Sequence, residues 1–272
     1  MRIHSFARAV AYPQSVGGFI DLINVLDANG IPFFIAGRMS NILIKDGFYR
    51  GVLIITTNIK GKHRAETQVT ASCGESLNAV IRMMALSDLG GCEGLFGIPA
   101  SVGGAVRQNA GAFGYEISDR FLKALCYQRS TGKLLEIAKK EMRFAYRDSI
   151  LKDKDFVLLN ATFDFLPRCR EDVFDGIKTY VKQRREMQPT DRYSLGSVFK
   201  RYDGVGAGYY IDKAGLKGYS VGGAEVSEKH AGFIVNTGEA TANDFLKLMD
   251  TVKEKVYSVF GVELEEEIEI IK

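Results

Sequence analysis

The 272-residue chain contains no tryptophan and only three histidines. The histidines, His4, His63 and His230, show none of the spacings that are typical of a metal site. The four cysteines likewise have neither a metal-binding nor a redox spacing. We therefore expect no metal centre and no disulfide framework, and reduced thiols such as those of a cytoplasmic protein.

Long apolar runs and charged blocks are also scarce. No run is long enough to span a bilayer, and residues 1–18 lack the apolar core of a signal peptide. The formal net charge is only +3, and the densest basic patch, residues 182–185, falls on a predicted helix. The composition therefore favours a cytoplasmic globular protein that binds neither nucleic acid nor a membrane, and it indicates no obligate protein partner.

Glycine, in contrast, is abundant, with 29 residues in the chain and a dense group in residues 91–119. This stretch also carries Pro99, Ser101, Gln108 and Asn109. Glycine lets the backbone approach a ligand closely, and consecutive N–H groups in such a loop can hold a phosphate. A series of tight turns has the same composition, so a phosphate-binding loop and plain turns both remain open at this point.

Apolar spacing predicts alternating helices and strands before the glycine stretch. A Ser15 cap opens a predicted helix that ends at Gly30, and a second helix carries Leu77, Ile81 and Ala85. Short apolar runs predict strands at residues 32–37, 51–56 and 67–72. This order is typical of an α+β or α/β ligand-binding domain.

The character of the chain changes near Pro167, and we place a domain boundary between residues 166 and 167. A helical stripe then runs toward Pro189. Further on, Thr241 and Asp244 form a capping-box pattern that opens an amphipathic helix ending near Gly261. The tail alternates, which predicts a strand with its glutamates on a solvated face. Its other face would carry Val262, Leu264, Ile268 and Ile270.

Common catalytic motifs are missing. There is no P-loop, and the glycine stretch does not follow a strand and open a helix as a dinucleotide fingerprint requires. Ser197 and His230 could belong to a hydrolase, but Ser197 lies in Leu-Gly-Ser-Val-Phe, which is not a nucleophile elbow. The common catalytic motifs therefore leave the activity unassigned.

A set of local motifs nevertheless resembles one family. Residues 97–106 (GIPASVGGAV) and 108–114 (QNAGAFG) are similar to the flavin loop of the UDP-N-acetylenolpyruvoylglucosamine reductase (MurB) family. Five further segments also resemble that family, followed by a closing Gly-Val-Glu-Leu: YRDS at 146–149, GSVFK at 196–200, AGLKG at 214–218, GGAEVS at 222–227 and KHAGF at 229–233. They occur in the family's order over nearly the whole chain, and they favour its shorter type.

The resemblance implies an α+β protein of two parts. Residues 1–166 would form the FAD-binding fold shared with vanillyl-alcohol oxidase (PCMH-type) flavoproteins. Residues 167–272 would form a smaller α+β substrate-binding domain that includes a C-terminal catalytic strand. The implied enzyme uses NADPH to reduce FAD. It then reduces the enolpyruvyl group of a UDP-sugar to give UDP-N-acetylmuramate for peptidoglycan, the cell wall polymer required for cell shape and division.

The resemblance also implies site residues. Arg147 would stabilise negative charge beside the substrate carboxylate, Ser197 would donate a proton, and Glu267 would polarise the enolpyruvyl group or relay a proton, with Glu265 as the alternative position. Substrate contacts are expected from Tyr146, Arg201, Lys229 and His230. FAD contacts are expected from Gly37, Arg38, Met39, Ser40, Asn41, Gly97, Ile98, Pro99, Ser101, Val102, Gly103, Gly104, Asn109, Ala110 and Gly111.

Two departures from the family pattern keep alternatives open. The usual Gly-Gly-Gly-Ser-Asn turn stands here as residues 37–41, Gly-Arg-Met-Ser-Asn, and His4-Ser5 replaces a glycine pair in residues 2–7. The turn either avoids positive φ or carries about 1–3 kcal/mol of strain, which Arg38 could offset by reaching the FAD pyrophosphate. A degenerate relative without turnover, and another FAD oxidoreductase of the same fold, are therefore alternative interpretations.

Overall fold

The computed structural model describes residues 3–272, so Arg2 of the N-terminal motif lies outside the described residues, as does the side chain of Asp46. The chain forms two compact units. The larger unit comprises Ala9–Arg38 and Gly51–Lys182. The smaller unit comprises Gln183–Lys272, Met39–Arg50 and the N-terminal residues up to Arg8. Across the described residues, no helix combines the length and apolar character needed to cross a membrane.

Runs of consecutive strands lie between the helices along the chain. The helices are α1 Val16–Ala28, α2 Leu77–Leu86, α3 Val102–Arg107, α4 Ile117–Arg120, α5 Arg170–Met187, α6 Ala207–Lys213 and α7 Ala242–Phe260. The strands are β1 Phe6–Ala11, β2 Phe33–Ala36, β3 Ile42–Ile44, β4 Phe48–Ile55, β5 Lys62–Ala65, β6 Gln68–Ser72, β7 Leu89–Gly90, β8 Gly111–Ala112, β9 Tyr115–Glu116, β10 Phe121–Gln128, β11 Lys133–Ala138, β12 Phe156–Asp164, β13 Leu166–Pro167, β14 Tyr193–Ser197, β15 Ser220–Val221, β16 Ala224–Val226, β17 Phe233–Asn236 and β18 Glu269–Ile271.

Helix ends follow the caps that the sequence predicts. The Ser15 hydroxyl accepts a hydrogen bond from Gly18 N–H at 3.1 Å, which satisfies one of the free amides at the start of α1. Thr241 and Asp244 exchange both bonds of a capping box at the start of α7. That helix ends at Gly261, whose φ of +67° is the left-handed conformation that glycine tolerates. These predictions are confirmed.

The larger unit is built on a five-stranded antiparallel sheet in the order β11–β10–β12–β6–β5. Ala161 of β12 lies opposite Ala124 of β10 on one side and Ala71 of β6 on the other. A second sheet has the order β1–β4–β2, in which β2 and β4 run parallel with Phe33 opposite Val52. One hydrophobic core joins these sheets to α1 and α2. Its largest fully buried side chains include Phe19, Ile23, Ile54, Ile81, Met84 and Leu159.

The smaller unit has its own core around a four-stranded antiparallel sheet in the order β14–β17–β16–β15. The apolar side of α7 is fully buried in this core, together with Ile211 of α6. The C-terminal strand β18 pairs in parallel with β3, with Ile270 opposite Leu43. Because β3 lies more than 200 residues earlier in the chain, this pairing ties the Met39–Arg50 segment to the C-terminal unit.

The division between the units differs from the boundary placed at residue 166. The chain leaves the larger unit only after Lys182, because Val173 and Ile177 of α5 are buried in that unit's core. The grouping of Met39–Arg50 with the smaller unit is also absent from the sequence analysis. No local pattern predicts it, since it depends on the long-range pairing of β3 with β18.

Two local predictions are corrected. The glycine stretch does open a helix, α3, which begins after Ser101; Gly103 and Gly104 conceal it because glycine is a poor helix former. The tail forms a strand only at Glu269–Ile271, and Ile271, not Ile270, is buried there. Val262, Leu264 and Ile268 are buried as expected, so the predicted alternation holds up to Ile268 and is lost within the strand β18.

Candidate active site

Two of the segments expected to hold a cofactor meet within the larger unit. A Cβ added at Gly37 would lie 2.0 Å from Ser101 Oγ and 2.9 Å from Ser101 Cβ. Real Cβ atoms essentially never approach this closely, so a side chain at position 37 would force Ser101 to shift. Gly37 and the glycine stretch are thus packed against each other, although they lie far apart in the sequence.

The amides of the glycine stretch already have partners inside the chain. Gly97 N–H donates to Asn78 Oδ1, Gly103 N–H to the Cys73 carbonyl, and Gly104 N–H to Ser101 Oγ, at 2.8, 2.8 and 3.2 Å. Ser101 thereby caps α3. A cradle of free consecutive amides, one of the two alternatives that the composition left open, is therefore not what these three positions form. Asn78 was not singled out in the sequence, because an asparagine on an amphipathic helix gives no local signal.

The altered turn keeps the backbone conformation of a glycine turn. Met39 has φ of +53°, and this side-chain-bearing residue therefore occupies the left-handed region. That conformation costs about 1–2 kcal/mol for an L-residue other than glycine. The sequence left open whether this turn avoids positive φ or carries strain. The structure shows that it carries strain, at Met39. Arg38, beside it, is exposed.

Ser197 and Glu267 are brought together in the smaller unit by backbone pairing. Val198 donates its N–H to the Gly232 carbonyl at 2.9 Å, and its own carbonyl accepts from Glu267 N–H at 2.8 Å. The Gly-Ser-Val-Phe segment therefore runs between β17 and the C-terminal tail. The register of β14 shifts between Ser194 and Ser197, and such bulges re-aim side chains beside functional sites.

Asn41 fixes the tail from the opposite side. Its Nδ2 donates to the Glu267 carbonyl at 3.0 Å, and its carbonyl accepts from Glu269 N–H at 2.9 Å. Glu267 is thus held through its own N–H and C=O, and its side chain is half-buried. The sequence predicted Asn41 as a cofactor residue and gave no hint of this contact.

The neighbouring glutamates are engaged in ion pairs. Glu265 pairs with Lys200, with 3.0 Å between Oε2 and Nζ, and its side chain is 74% exposed. Glu266 accepts a hydrogen bond from Lys253. Burial raises the pKa of Glu266, but the bond and charge of Lys253 outweigh this and hold that pKa below its ordinary value. Glu265 therefore has the contact and the exposure of a surface ion pair.

Arg147 lies in a tight turn of the larger unit. Ala145 and Asp148 exchange two backbone hydrogen bonds of 3.2 and 3.1 Å, and Arg147 itself has φ of +54°. Its Nη2 donates to the Gly111 carbonyl at 3.1 Å, and its guanidinium lies 5.0 Å from the centre of the Tyr146 ring. The Lys152 ammonium donates to the Arg147 carbonyl. A strained conformation that is held by this many contacts is characteristic of functional sites.

The expected substrate residues have varied surroundings. Tyr146 and Arg201 are exposed, and exposed Lys229 donates to the Arg185 carbonyl. His230 is half-buried. Burial lowers its pKa, and the positive charge of Lys217 lowers it further.

The His230 ring is committed to its own loop. Its Nδ1 accepts from Gly232 N–H at 3.0 Å, so the neutral ring carries its proton on Nε2. The ring also packs on Phe233, with 4.9 Å between centroids. A histidine in this state cannot take a serine proton at Nε2 while an acid orients Nδ1, which argues against the hydrolase interpretation.

The chain is similar to known proteins along nearly its whole length. Residues 7–138 match the model of the FAD binding domain, and residues 188–271 match that of the UDP-N-acetylenolpyruvoylglucosamine reductase C-terminal domain. The UDP-N-acetylenolpyruvoylglucosamine reductase of Caldicellulosiruptor saccharolyticus is 41% identical over 272 residues, covering 99% of this chain and 87% of that protein. The Listeria monocytogenes enzyme is 39% identical over 259 residues, covering 95% and 87%.

A solved structure agrees with these sequence relatives. The crystal structure of MurB from Thermus caldophilus superposes with a TM-score of 0.80 at 29% identity, covering 97% of this chain and 91% of that one. This match and the FAD binding domain confirm the expected fold and the resemblance read from the motifs. The chain therefore belongs to the UDP-N-acetylenolpyruvoylglucosamine reductase family.

Proposed function

We propose that this protein is an FAD- and NADPH-dependent reductase that converts UDP-N-acetylenolpyruvoylglucosamine to UDP-N-acetylmuramate for peptidoglycan synthesis. Family membership supports the reaction class. The observation that carries the proposal is the pairing of two distant segments, which puts Ser197 and Glu267 on neighbouring strands of backbone. Because NADPH and UDP-sugars are cytoplasmic metabolites, we place the reaction in the cytoplasm.

The residues present fit FAD. The close approach of Gly37 to Ser101 joins two flavin motifs, and Met39 keeps the left-handed backbone of the glycine turn. When bound and reduced by NADPH, FAD supplies the hydride for the enolpyruvyl double bond. We assign its binding to residues 37–41, 97–99, 101–104 and 110–111. The buried side chain of Asn109 is hydrogen-bonded within the protein and is not assigned to FAD. With the amides of Gly103 and Gly104 occupied, Arg38 and Ser40 are the side chains best suited to the pyrophosphate.

Three side chains would handle the charge and the proton. Negative charge develops beside the substrate carboxylate as the double bond is reduced, and the Arg147 guanidinium would stabilise it. Ser197 would protonate the carbon that carries this charge. A hydroxyl is a weak acid, so the proton must leave in concert with carbon protonation or the resulting alkoxide must be stabilised. Glu267 would polarise the enolpyruvyl group or relay the proton to Ser197.

The nucleotide part of the substrate needs cations and polar groups. Arg201 and Lys229 would contact the diphosphate, and Tyr146 and His230 would supply further contacts. Arg201 and Lys229 are exposed, which leaves their charges accessible to an anion. His230 would act through its Nε2–H as a hydrogen-bond donor, since its Nδ1 is occupied by Gly232.

The test separates the two half-reactions by anaerobic stopped-flow absorbance. The purified protein should be yellow, NADPH should bleach its flavin, and enolpyruvyl-UDP-N-acetylglucosamine should restore the oxidised spectrum. In Ser197→Ala the bleaching should keep its rate, whereas reoxidation should slow by about 10²–10⁴-fold, as expected for a lost general acid. Ser220→Ala, an exposed position in the same sheet, is the matched control and should behave as wild type.

Other outcomes favour the alternatives. A colourless protein that cannot take up FAD would support a degenerate relative. Flavin that is reduced by NADPH but not reoxidised by this substrate would support an oxidoreductase with another substrate. Equal reoxidation rates in Ser197→Ala and wild type would remove Ser197 from the mechanism.

A further inference from the structure

The turn that carries Arg147 is attached to one short segment of chain. We define the arginine turn as residues 145–149 and the clamp segment as residues 107–111. Three side-chain hydrogen bonds join them, all within the larger unit. Ser149 Oγ donates to the Arg107 carbonyl at 2.9 Å, Asn109 Nδ2 to the Ala145 carbonyl at 3.1 Å, and Arg147 Nη2 to the Gly111 carbonyl at 3.1 Å.

Asn109 is the centre of this attachment. Its side chain is buried, with 1% of the residue exposed. Its Oδ1 accepts from Ser118 N–H at 3.0 Å, and its Nδ2 donates both to Glu116 Oε2 at 2.9 Å and to the Ala145 carbonyl. A backbone N–H can only donate and a backbone carbonyl can only accept, so these partners fix the amide orientation. Both donors of the side chain are therefore committed inside the protein.

The backbone of Asn109 performs a second task. It follows the last turn of α3 with φ of +40°, its N–H donates to the Val106 carbonyl at 3.1 Å, and Ala110 N–H donates to the Ala105 carbonyl at 2.9 Å. This is the Schellman pattern that ends helices. Asparagine tolerates the left-handed region better than most residues. Asn109 thus ends α3 through its backbone, while its side-chain amide donates to Glu116 and to the Ala145 carbonyl.

We propose that Asn109 is a positioning residue for Arg147. It holds the Ala145 carbonyl, at the base of the arginine turn, against the end of α3, so that the strained Arg147 backbone is presented in one orientation. This inference rests on the proposed function, in which the Arg147 guanidinium stabilises charge on the substrate. It differs from the cofactor role that the motif implies for Asn109, because the side chain has no donor left for a ligand.

The main test uses Asn109→Gly in the full-length holoenzyme. Glycine retains the left-handed backbone at the end of α3 and removes the bond to the Ala145 carbonyl, together with the side-chain bonds to Glu116 and Ser118 N–H. FAD content and the rate of flavin reduction by NADPH should stay at the wild-type level, whereas reoxidation by the UDP-sugar should slow by about 10–100-fold, the effect of a misplacement near 1 Å. The matched control is Glu66→Gly, which changes another left-handed residue, exposed in the β5–β6 turn, and should leave both rates unchanged.

A double variant separates positioning from a general structural effect. In an Arg147→Gln background, Asn109→Gly should slow reoxidation less than threefold, because the group that it positions is already gone. Losses that multiply in the double variant would overturn the inference, and so would loss of FAD from Asn109→Gly. An Arg147→Gln variant with wild-type reoxidation would instead overturn the role of Arg147 in the proposed function, and with it this inference.

A second variant covers the case in which Asn109→Gly does not fold. Ser149→Ala removes the bond from Ser149 Oγ to the Arg107 carbonyl, together with the bond that Oγ accepts from Leu151 N–H, and leaves α3 intact. It should slow reoxidation by about 3–10-fold, because one bond between the arginine turn and the clamp segment is lost, and should leave flavin reduction unchanged. A wild-type rate of reoxidation in Ser149→Ala would contradict the claim that the clamp segment positions the arginine turn.

Discussion

The arginine turn and the C-terminal tail present their functional residues by different means. The turn is held by side chains, with donors from Asn109, Ser149 and Arg147 and a residue in a strained conformation. The tail around Glu267 is held mainly by backbone pairing with Val198, and Asn41 adds one side-chain bond. Backbone bonds survive most substitutions, whereas a side-chain clamp depends on residue identity. The turn should therefore be the more easily disturbed of the two.

The largest expected effect lies in the tail. Glu267→Gln should slow flavin reoxidation by about 10²–10⁴-fold, because a carboxyl that polarises the substrate or relays a proton is lost. Its urea unfolding midpoint should match wild type, since the backbone bonds to Val198 and Asn41 remain. Glu265→Gln is the control: its exposed ion pair with Lys200 contributes at most about 1 kcal/mol, and activity should be normal. A slow Glu265 variant with a normal Glu267 variant would reverse the assignment.

The strained turn can be tested through its backbone. Arg147→Gly and Arg147→Ala remove the same contacts, but only glycine is comfortable at φ of +54°. The free energy of unfolding, measured with urea, should be about 1–2 kcal/mol lower for the alanine variant. Equal free energies of unfolding for the two variants would mean that the turn relaxes when the Arg147 side chain is lost. The remaining bonds to the clamp segment would then not maintain the backbone strain at position 147.

Asn41 tests how much the tail depends on a side chain. Asn41→Ala loses the bond to the Glu267 carbonyl but keeps the backbone bond from Glu269, so reoxidation should slow by no more than about tenfold. Asn243→Ala, exposed at the start of α7, is the control. If Asn41→Ala instead releases FAD and leaves reoxidation normal in the reconstituted enzyme, the cofactor role implied by the motif is its main one.

The smallest expected effect concerns pH and lies outside both regions. Because burial holds the folded pKa of His230 below its ordinary value of 6.5, the unfolded state binds more protons between these two values. The associated stability is complete above pH 6.5 and is lost as the pH falls toward the folded pKa. Between pH 7.5 and about pH 5.5, the urea midpoint of wild type should fall further than that of His230→Gln. Parallel curves would contradict the burial of a neutral imidazole.

Local patterns in this sequence predict local structure well. The Ser15 cap, the Thr241 capping box and the apolar spacing of α1, α2 and α7 are confirmed, because each depends on neighbours within one or two helical turns. The predictions fail where contacts with distant parts of the chain determine the local structure. The helix α3 is stabilised by a cap and by a contact to Cys73 despite its two glycines, and the tail loses its alternation only in β18, where it pairs with β3.

The sequence by itself determined the family, the α+β class and the residue types available for flavin-dependent reduction, because ordered motifs are a property of the chain alone. Only the tertiary structure decided what holds those residues. In the structure, Asn109 donates a hydrogen bond to the arginine turn and Asn41 donates one to the Glu267 carbonyl. Amides of the glycine stretch donate to Asn78 and to the Cys73 carbonyl. The physical reason is that each N–H hydrogen makes only one strong hydrogen bond. Which acceptor it meets depends on segments that lie 19 to 226 residues apart in the chain.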